Sequence, residues 1–357
     1  MAPPRQTRKV TLRDVAERAD VSISTASLVF SGRGPVADRT AARVRAAATD
    51  LGYAGPDPLA SSLRQGRAGA VAVIVEERLR DAFRDPFALA VLDGLAQELD
   101  AMGTSMLLVA DHGRDEGGEG ANPVAGHAVD AAVFPLCGRT DSPLVEHLLA
   151  RRIPIIGSGA PVHDAVGHVV VDEHGATAEA TRHLLDLGHR RLAHVTMPLG
   201  RARPTHRIEV ADLDRATYPD ARERARGFVD TAPPGSPLVE TERADVAQGE
   251  VAGRLLLDVP ACGRPTAVVA QSDLLASGVI RAAESLGLRV PQELSVTGFD
   301  AVDLPWLDRR LTTIEQPGEA KGRLLGELTR RRLAGGPPAS QAFPVSLRVG
   351  DTTAPAP

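Results

Sequence analysis

The chain has 357 residues, 43% of them hydrophobic and 24% charged, with a net charge of −5. That is enough apolar material for two or three packed domains and too much for wholesale disorder. No run approaches the roughly 18 apolar residues of a membrane span, and MAPPRQTRKV lacks the apolar core of a secretory signal, so a cytoplasmic protein with no membrane partner is expected. Cys137 and Cys262 are far apart and match no metal spacing, which suits buried thiols in a reducing compartment.

Charge is divided unevenly. Residues 1–67 carry eleven Lys/Arg against six acids, net +5, and the remainder carries thirty against forty, net −10. A small basic head on an acidic body points to a polyanionic partner for the head alone.

In chain order, Leu12, Val15, Ala16 and Ala19 fall at helical spacing behind a Thr11 cap. Asp20 and Val21 make a tight turn, Ser22 caps a second helix, and Ala26, Val29 and Phe30 are spaced to face the first. The opposite face of this uncharged second helix is Ile23, Ser24, Ser27 and Leu28. A third helix runs from Asp38 to Leu51, with Val44, Ala47, Ala48 and Leu51 inward, and stops at Gly52. Residues 1–55 therefore have the plan of a helix-turn-helix DNA-binding domain, with a small helical packing domain as the alternative. Residues 56–67, PDPLASSLRQGR, read as a linker with one short helix.

Residues 68–350 alternate compact apolar runs with amphipathic stretches. AVAVIV (70–75), SMLLVA (105–110), AAVFPL (131–136), IPIIGSG (153–159), HVVVD (168–172), LAHVTM (192–197), AVVAQS (267–272) and LSVTGFD (294–300) are strand candidates. Short buried strands between helices imply parallel βαβ units, hence an α/β core long enough for two lobes. Residues 111–128 and 199–223 lack this rhythm; the first is Gly-rich and polar, the second of mixed charge.

VTLRDVAERADVSISTASLVFSG, GPVADRTAARVRAAATDLGY and PDPLASSLR resemble the head of the lac repressor (LacI/GalR) family. VVVDEHGATAEATRHLLDLGHRRLAHV, RERARGF, AQSDLLASGVIRAAESLGLRVPQELSVTGFD and LTTIEQP are similar to that family's core, in order and over nearly the whole length. The resemblance implies an all-α helix-turn-helix head, a hinge helix, and a two-lobed core with parallel sheets like that of periplasmic sugar-binding proteins. It implies that Ile23, Ser24 and Leu28 reach base edges and that Thr11, Ser22, Thr25, Ser27 and Thr40 bond phosphates. Hydroxyls and helix-end amides can hold a backbone without charge. Leu63 of the A-x-x-L pattern would wedge the minor groove, with Arg64 meeting a phosphate. Many relatives carry Arg at the position of Leu28; Leu28 offers apolar contact in its place, as to a thymine methyl.

In the core the resemblance implies a small-molecule cleft at the carboxyl ends of strands. Asp172, Ser272, Asp273 and Asp300 end candidate strands, Arg224 matches a ligand-contacting Arg, and Phe87 is placed to stack on a ring. Asp273 reads equally as a helix N-cap. The aromatic that the family often places near residue 244 is missing from ETERADVAQGE. The implied partners are double-stranded operator DNA, a sugar or related effector, and a second copy in a homodimer or larger assembly; a purine-type corepressor is the alternative effector. GSG at 157–159 lacks a third dinucleotide-binding glycine, and no P-loop, nucleophile elbow or zinc motif occurs. No catalytic residue, metal or cofactor is therefore expected. A solute-binding transport protein would share the core but would need an export signal and no basic head.

Overall fold

Thr11 starts the first helix, α1 (Leu12–Arg18), with a reciprocal cap: its hydroxyl accepts the Asp14 N–H, and the Asp14 carboxylate accepts the Thr11 N–H at 2.8 Å. Ser22 caps α2 (Ile23–Ser31) by accepting the Thr25 N–H at 3.1 Å. α3 (Asp38–Leu51) ends where Gly52 turns left-handed at φ 66° and donates to the carbonyls of Ala48 and Thr49. Val15, Ala16, Ala19, Ala26, Val44, Ala47 and Ala48 form the centre of this three-helix unit. Its core side chains are small, so the helices approach closely, and Phe30 and Tyr53 close one side edge-to-face at 5.4 Å.

The computed structural model describes residues 10–31, 34–55, 66–111 and 122–357. The chain divides after Ala68 into this head and a larger core. The core holds two mostly parallel sheets. One has the order β12-β5-β4-β3-β1-β2: Ser340–Ala342, Val166–Val170, Ile155–Ser158, Ala131–Phe134, Ala70–Val75 and Ser105–Ala110. The other has the order β13-β11-β10-β9-β6-β8-β7: Ser346–Arg348, Thr312–Glu315, Ser295–Asp300, Ala267–Ala270, Leu192–Thr196, Leu238–Glu240 and His206–Ile208. Among the described residues only β7 and β13, at opposite edges of the second sheet, run antiparallel to their neighbours. β1 and β2 keep one register from Ala70↔Ser105 to Val75↔Ala110.

All eight apolar runs become strands; most are buried on both faces and so carry no alternation, while β2, at a sheet edge, and the end of β5 are partly exposed. The core helices are α4 (Leu79–Ala82), α5 (Pro86–Ala101), α6 (Leu144–Ala150), α7 (Glu173–Asp186), α8 (Pro219–Val229), α9 (Val246–Leu257), α10 (Asp273–Ser285) and α11 (Gly318–Leu333). α11 packs on α5 with almost no space between backbones: a Cβ at Gly322 would run into the Val91 carbonyl, and one at Gly94 into that of Glu319.

Three segments cross between the two lobes: residues 171–172 from β5 to α7, 316–317 from β11 to α11, and 343–345 from β12 to β13. The lobes also touch away from these crossings, where the Thr140 N–H and hydroxyl both donate to the Thr217 carbonyl, at 2.9 and 3.0 Å. Residues 199–223, poorly patterned in sequence, are ordered: they hold β7, a 3-10 helix over Val210–Arg215 and the start of α8, anchored by buried Leu199, Ile208 and Leu213. The C-terminal tail is stitched into the second lobe. Thr352 donates to the Val296 carbonyl at 2.7 Å, and the Ala356 N–H donates to that of Leu187 at 2.8 Å. The expectation of buried thiols is corrected: Cys137 and Cys262 both reach solvent, since each sits in a loop beyond an element's end rather than on a strand.

Candidate functional site

In the head, α2 turns the side of Ile23, Ser24, Ser27 and Leu28 away from the core. Ile23 is 44% and Leu28 37% exposed, which places Leu28 outside the head's core. Leu28 rests on Gly34, where an added Cβ would lie 3.1 Å from Leu28 Cδ2. The Ser22 hydroxyl lies 2.8 Å from those of both Ser24 and Thr25, so three hydroxyls meet at the start of α2. Thr11 donates its hydroxyl to Asp14 at 2.7 Å, and Thr40 stands half-buried in the first turn of α3. This is an exposed surface of two apolar and several hydroxyl side chains with no charge on its helix. Leu63 and Arg64 lie outside the described residues.

In the core, Phe87 and Asp300 line one cavity of about 310 Å³, together with Val302, Gln316, Pro317 and Gly318. Phe87 is held by Asp85, which accepts its N–H at 2.8 Å and caps α5. Asp300 ends β10 at φ 113°, followed by Ala301 at φ 58°. Two successive non-glycine residues with positive φ cost on the order of 1–3 kcal/mol each unless the surroundings impose them. Asp273 supplies that constraint. Its Oδ2 accepts the Val302 N–H at 2.9 Å and its Oδ1 accepts the Thr313 hydroxyl at 2.6 Å, tying the loop after β10 to β11. Burial pushes the Asp273 carboxyl up to about 7, and these two hydrogen bonds oppose the rise.

Arg224, 3% exposed, sits beside this cavity in a full cradle. Its Nε donates to Glu173 Oε2 at 2.6 Å, its Nη1 to the Gln271 carbonyl at 2.6 Å, and its guanidinium lies 3.5 Å from the Phe299 ring centre. Burial works against its charge, but Glu173 and Asp300 outweigh it and raise its pKa. Asp300 is raised well above the usual carboxylate range, chiefly by burial, with Asp273 and Asp85 adding to the rise.

Two of the expected cleft residues stand elsewhere. Ser272 is the N-cap of α10, accepting the Leu275 N–H at 3.2 Å, so the capping role considered for Asp273 belongs to its neighbour. Asp172 caps α7 through the Gly175 N–H at 2.8 Å. It lines a separate groove of about 370 Å³ with Glu179, Arg182 and the crossing segment Phe343–Val345.

Residues 11–55 match the family described as bacterial regulatory proteins, lacI family, and residues 181–353 match the periplasmic binding protein-like domain. The HTH-type transcriptional regulator Rv3575c of Mycobacterium tuberculosis is 33% identical over 359 residues, covering 99% of both chains. The chain belongs to the lacI family. It is thus a transcriptional regulator with a helix-turn-helix DNA-binding head and an effector-binding core. The regulator IpsA of Corynebacterium glutamicum is 31% identical over 89% of each chain. Among solved structures, the CelR–cellobiose complex superposes with a TM-score of 0.67 at 25% identity, covering 96% of this chain and 99% of that one. The lac repressor dimer bound to operator and the anti-inducer ONPF gives 0.76 at 24%, covering 97% and 100%, a likeness of fold.

Three polar residues of this lacI-family core escape sequence patterning. Glu173 is the ion-pair partner of Arg224. Gln271 carries the Arg224 cradle: its side chain accepts the Met197 N–H at 3.0 Å and donates to the Ala221 carbonyl at 2.9 Å. Its amide also meets His194 at 3.0 Å, a ring stacked on Phe228 whose pKa burial lowers to about 3. Lys321, on α11, is 5% exposed, donates to Gln316 Oε1 at 3.1 Å and stands 5.5 Å from the centre of the Phe87 ring. Cys137, exposed at the surface, lies near Asp220, Arg224 and Lys321.

Proposed function

We propose that the protein is a cytoplasmic repressor that binds a near-palindromic operator as a homodimer and releases it when a sugar or related small molecule occupies the core cleft. The observation that carries the reading is the meeting of Phe87, Asp300 and Gln316 around one cavity beside the cradled Arg224, at the crossings that join the lobes. An aromatic face, a buried carboxyl, an amide and a held guanidinium suit a hydroxyl-rich ring, and the likeness to the CelR–cellobiose complex favours a saccharide. Ile23, Ser24 and Leu28 are the base-reading residues in this proposal. Thr11, Ser22, Thr25, Ser27 and Thr40 hold phosphates, and Leu63 and Arg64 belong to the hinge.

A ligand that prefers one disposition of the lobes shifts the population of operator-binding dimers, with a coupling of about 1–3 kcal/mol. The Thr140–Thr217 contact is a point at which that preference is felt, because it is made only when the two lobes meet. The test is a thermal-shift screen of the full chain with sugars and nucleobases, followed by operator titration with each stabilising compound. The expected result is weaker operator binding with the hit, and no such response in Arg224→Ala or Asp300→Ala. Unaltered responses in both variants would refute the cleft assignment. A hit that tightens operator binding would replace induction by corepression.

A further inference from the structure

Two short runs of chain build most of the cavity wall that faces Phe87: residues 300–303, at the end of β10, and residues 315–318, at the end of β11. The ladder between the two strands ends at the Asp300–Glu315 pair. Past it the Gln316 N–H reaches the Asp300 carbonyl at 3.4 Å and the Gln316 amide reaches Asp300 Oδ1 at the same distance, both long for hydrogen bonds. The first run also carries the successive positive φ angles of Asp300 and Ala301, a shape that persists only where neighbours impose it. The second run continues through 316–317, one of the crossings into the other lobe.

Asp273 fastens the two runs from behind. It is the first residue of α10, is 1% exposed and stands outside the cavity's lining. One carboxyl oxygen takes the Val302 N–H of the first run at 2.9 Å, and the other takes the Thr313 hydroxyl at 2.6 Å, two residues before the second run. Gly298 leaves room for this approach, since a Cβ there would run into Asp273 Oδ1. Ser272 caps the helix that holds the carboxyl, so the clamp stands on a fixed element. Both bonds need acceptor and donor geometry rather than charge. An amide in the same place would accept the Val302 N–H through its oxygen and donate to Thr313 Oγ, whose own proton can turn to the Ile314 carbonyl at 3.5 Å.

We propose that Asp273 is a positioning residue of the effector cavity: it touches no ligand, and it clamps residues 300–303 to β11 so that this wall and the crossing at 316–317 move as one piece. This rests on the reading of the cavity as the effector site and assigns the residue that couples its wall to the lobes. A ligand that grips Asp300 then acts on the crossing through Val302, Asp273 and Thr313. Trp306, the one tryptophan of the chain, reports on the clamp. It lies in the loop that Asp273 holds, is 47% exposed, and donates its Nε1–H to Ser277 Oγ at 3.0 Å on the same helix as Asp273.

The test uses the full chain and four variants. Asp273→Ala and Thr313→Val break the clamp, whereas Asp273→Asn and Thr313→Ser keep both bonds. Hydrogen exchange followed by mass spectrometry and acrylamide quenching of Trp306 read the clamp without a ligand. Exchange at residues 300–303 and 315–318 should rise at least tenfold in Asp273→Ala and Thr313→Val and at most twofold in the two conservative variants, with β1 and β6 unchanged in all. Quenching of Trp306 should at least double in the same two. If Asp273→Ala does not fold, Thr313→Val, which removes one hydroxyl, carries the comparison. No local rise, an equal rise in Asp273→Asn, or a rise spread over β1 and β6 would overturn the proposal. Cellobiose, glucose and adenine are then titrated by calorimetry. A compound that wild type binds should lose at least tenfold in the clamp-breaking variants and at most twofold in the others; equal affinity in all five proteins would overturn positioning even if exchange had risen. If wild type binds none of the three while the exchange pattern holds, the clamp stands and the reading of the cavity as effector site is what fails.

Discussion

Replacing Glu173 by Ala removes the carboxylate that holds Arg224 and leaves a guanidinium at 3% exposure with a carbonyl and a ring face for company. Breaking a buried pair from one side costs about 3–5 kcal/mol, because the remaining charge stays buried. Here the lower end applies. Arg224 keeps the Gln271 carbonyl at 2.6 Å and the Phe299 face at 3.5 Å, and Asp300 is a second carboxyl in its field. At about 2–4 °C per kcal/mol for a unit of this size, about 3 kcal/mol lowers the thermal midpoint of the core by about 6–12 °C. Scanning calorimetry of the full chain measures it. The double variant Glu173→Ala/Arg224→Met should recover most of the loss, since no lone charge remains. A fall below about 2 °C, or a double variant no more stable than the single, would refute the view that Glu173 holds Arg224 in place.

Three further outcomes follow from the same geometry. Asp273 is raised to about 7 in the folded chain, against roughly 3.9 when unfolded, so the folded state holds this proton more tightly. Its contribution to stability is therefore full below about pH 4 and lost as pH climbs toward 7, about 4 kcal/mol in all. The melting-point difference between wild type and Asp273→Asn should swing against wild type across that window, and a pH-independent difference would contradict it. Gly322→Ala pushes α11 off α5 at the Val91 carbonyl and should cost about 1–3 kcal/mol or more by denaturant titration; an unchanged midpoint would mean the contact is slack. Leu28→Arg, on the exposed face of α2, should shift selected operators toward guanine at one position per half-site by about 1–3 kcal/mol, and an unchanged consensus would remove Leu28 from base reading.

Much of the fold is written in local pattern. The head is legible because Thr11, Ser22 and Gly52 mark helix ends by chemistry that acts within a few residues. The apolar runs are legible because a strand buried on both faces, as most of them are, is a block of hydrophobic residues. β7, β8, β12 and β13 are three-residue strands whose partners lie far along the chain, and no local signal marks them. β11, Thr312–Glu315, begins with two threonines and is not among the apolar runs; Asp273 and Thr352 bond it.

The site divides in the same way. Phe87 and Asp300 line one cavity and Arg224 lies within electrostatic reach of Asp300, whereas Asp172 and Ser272 turn their acceptors back onto their own helices. Lys321 is hidden in GEAKGRLLGELTRRR, which looks like a solvated charged helix. Its burial comes from Gly318, Gly322 and Gly326, one helical turn apart, which let α11 sink onto α5. That glycine spacing around a lone lysine was the available signal.

That the head reads operator DNA is tested most directly by selection with the full chain from a random-sequence duplex pool. The expected result is enrichment of a near-palindromic site whose log affinity falls steeply with log salt, as phosphate contacts release counterions. No enriched sequence, or an affinity indifferent to salt, would contradict it.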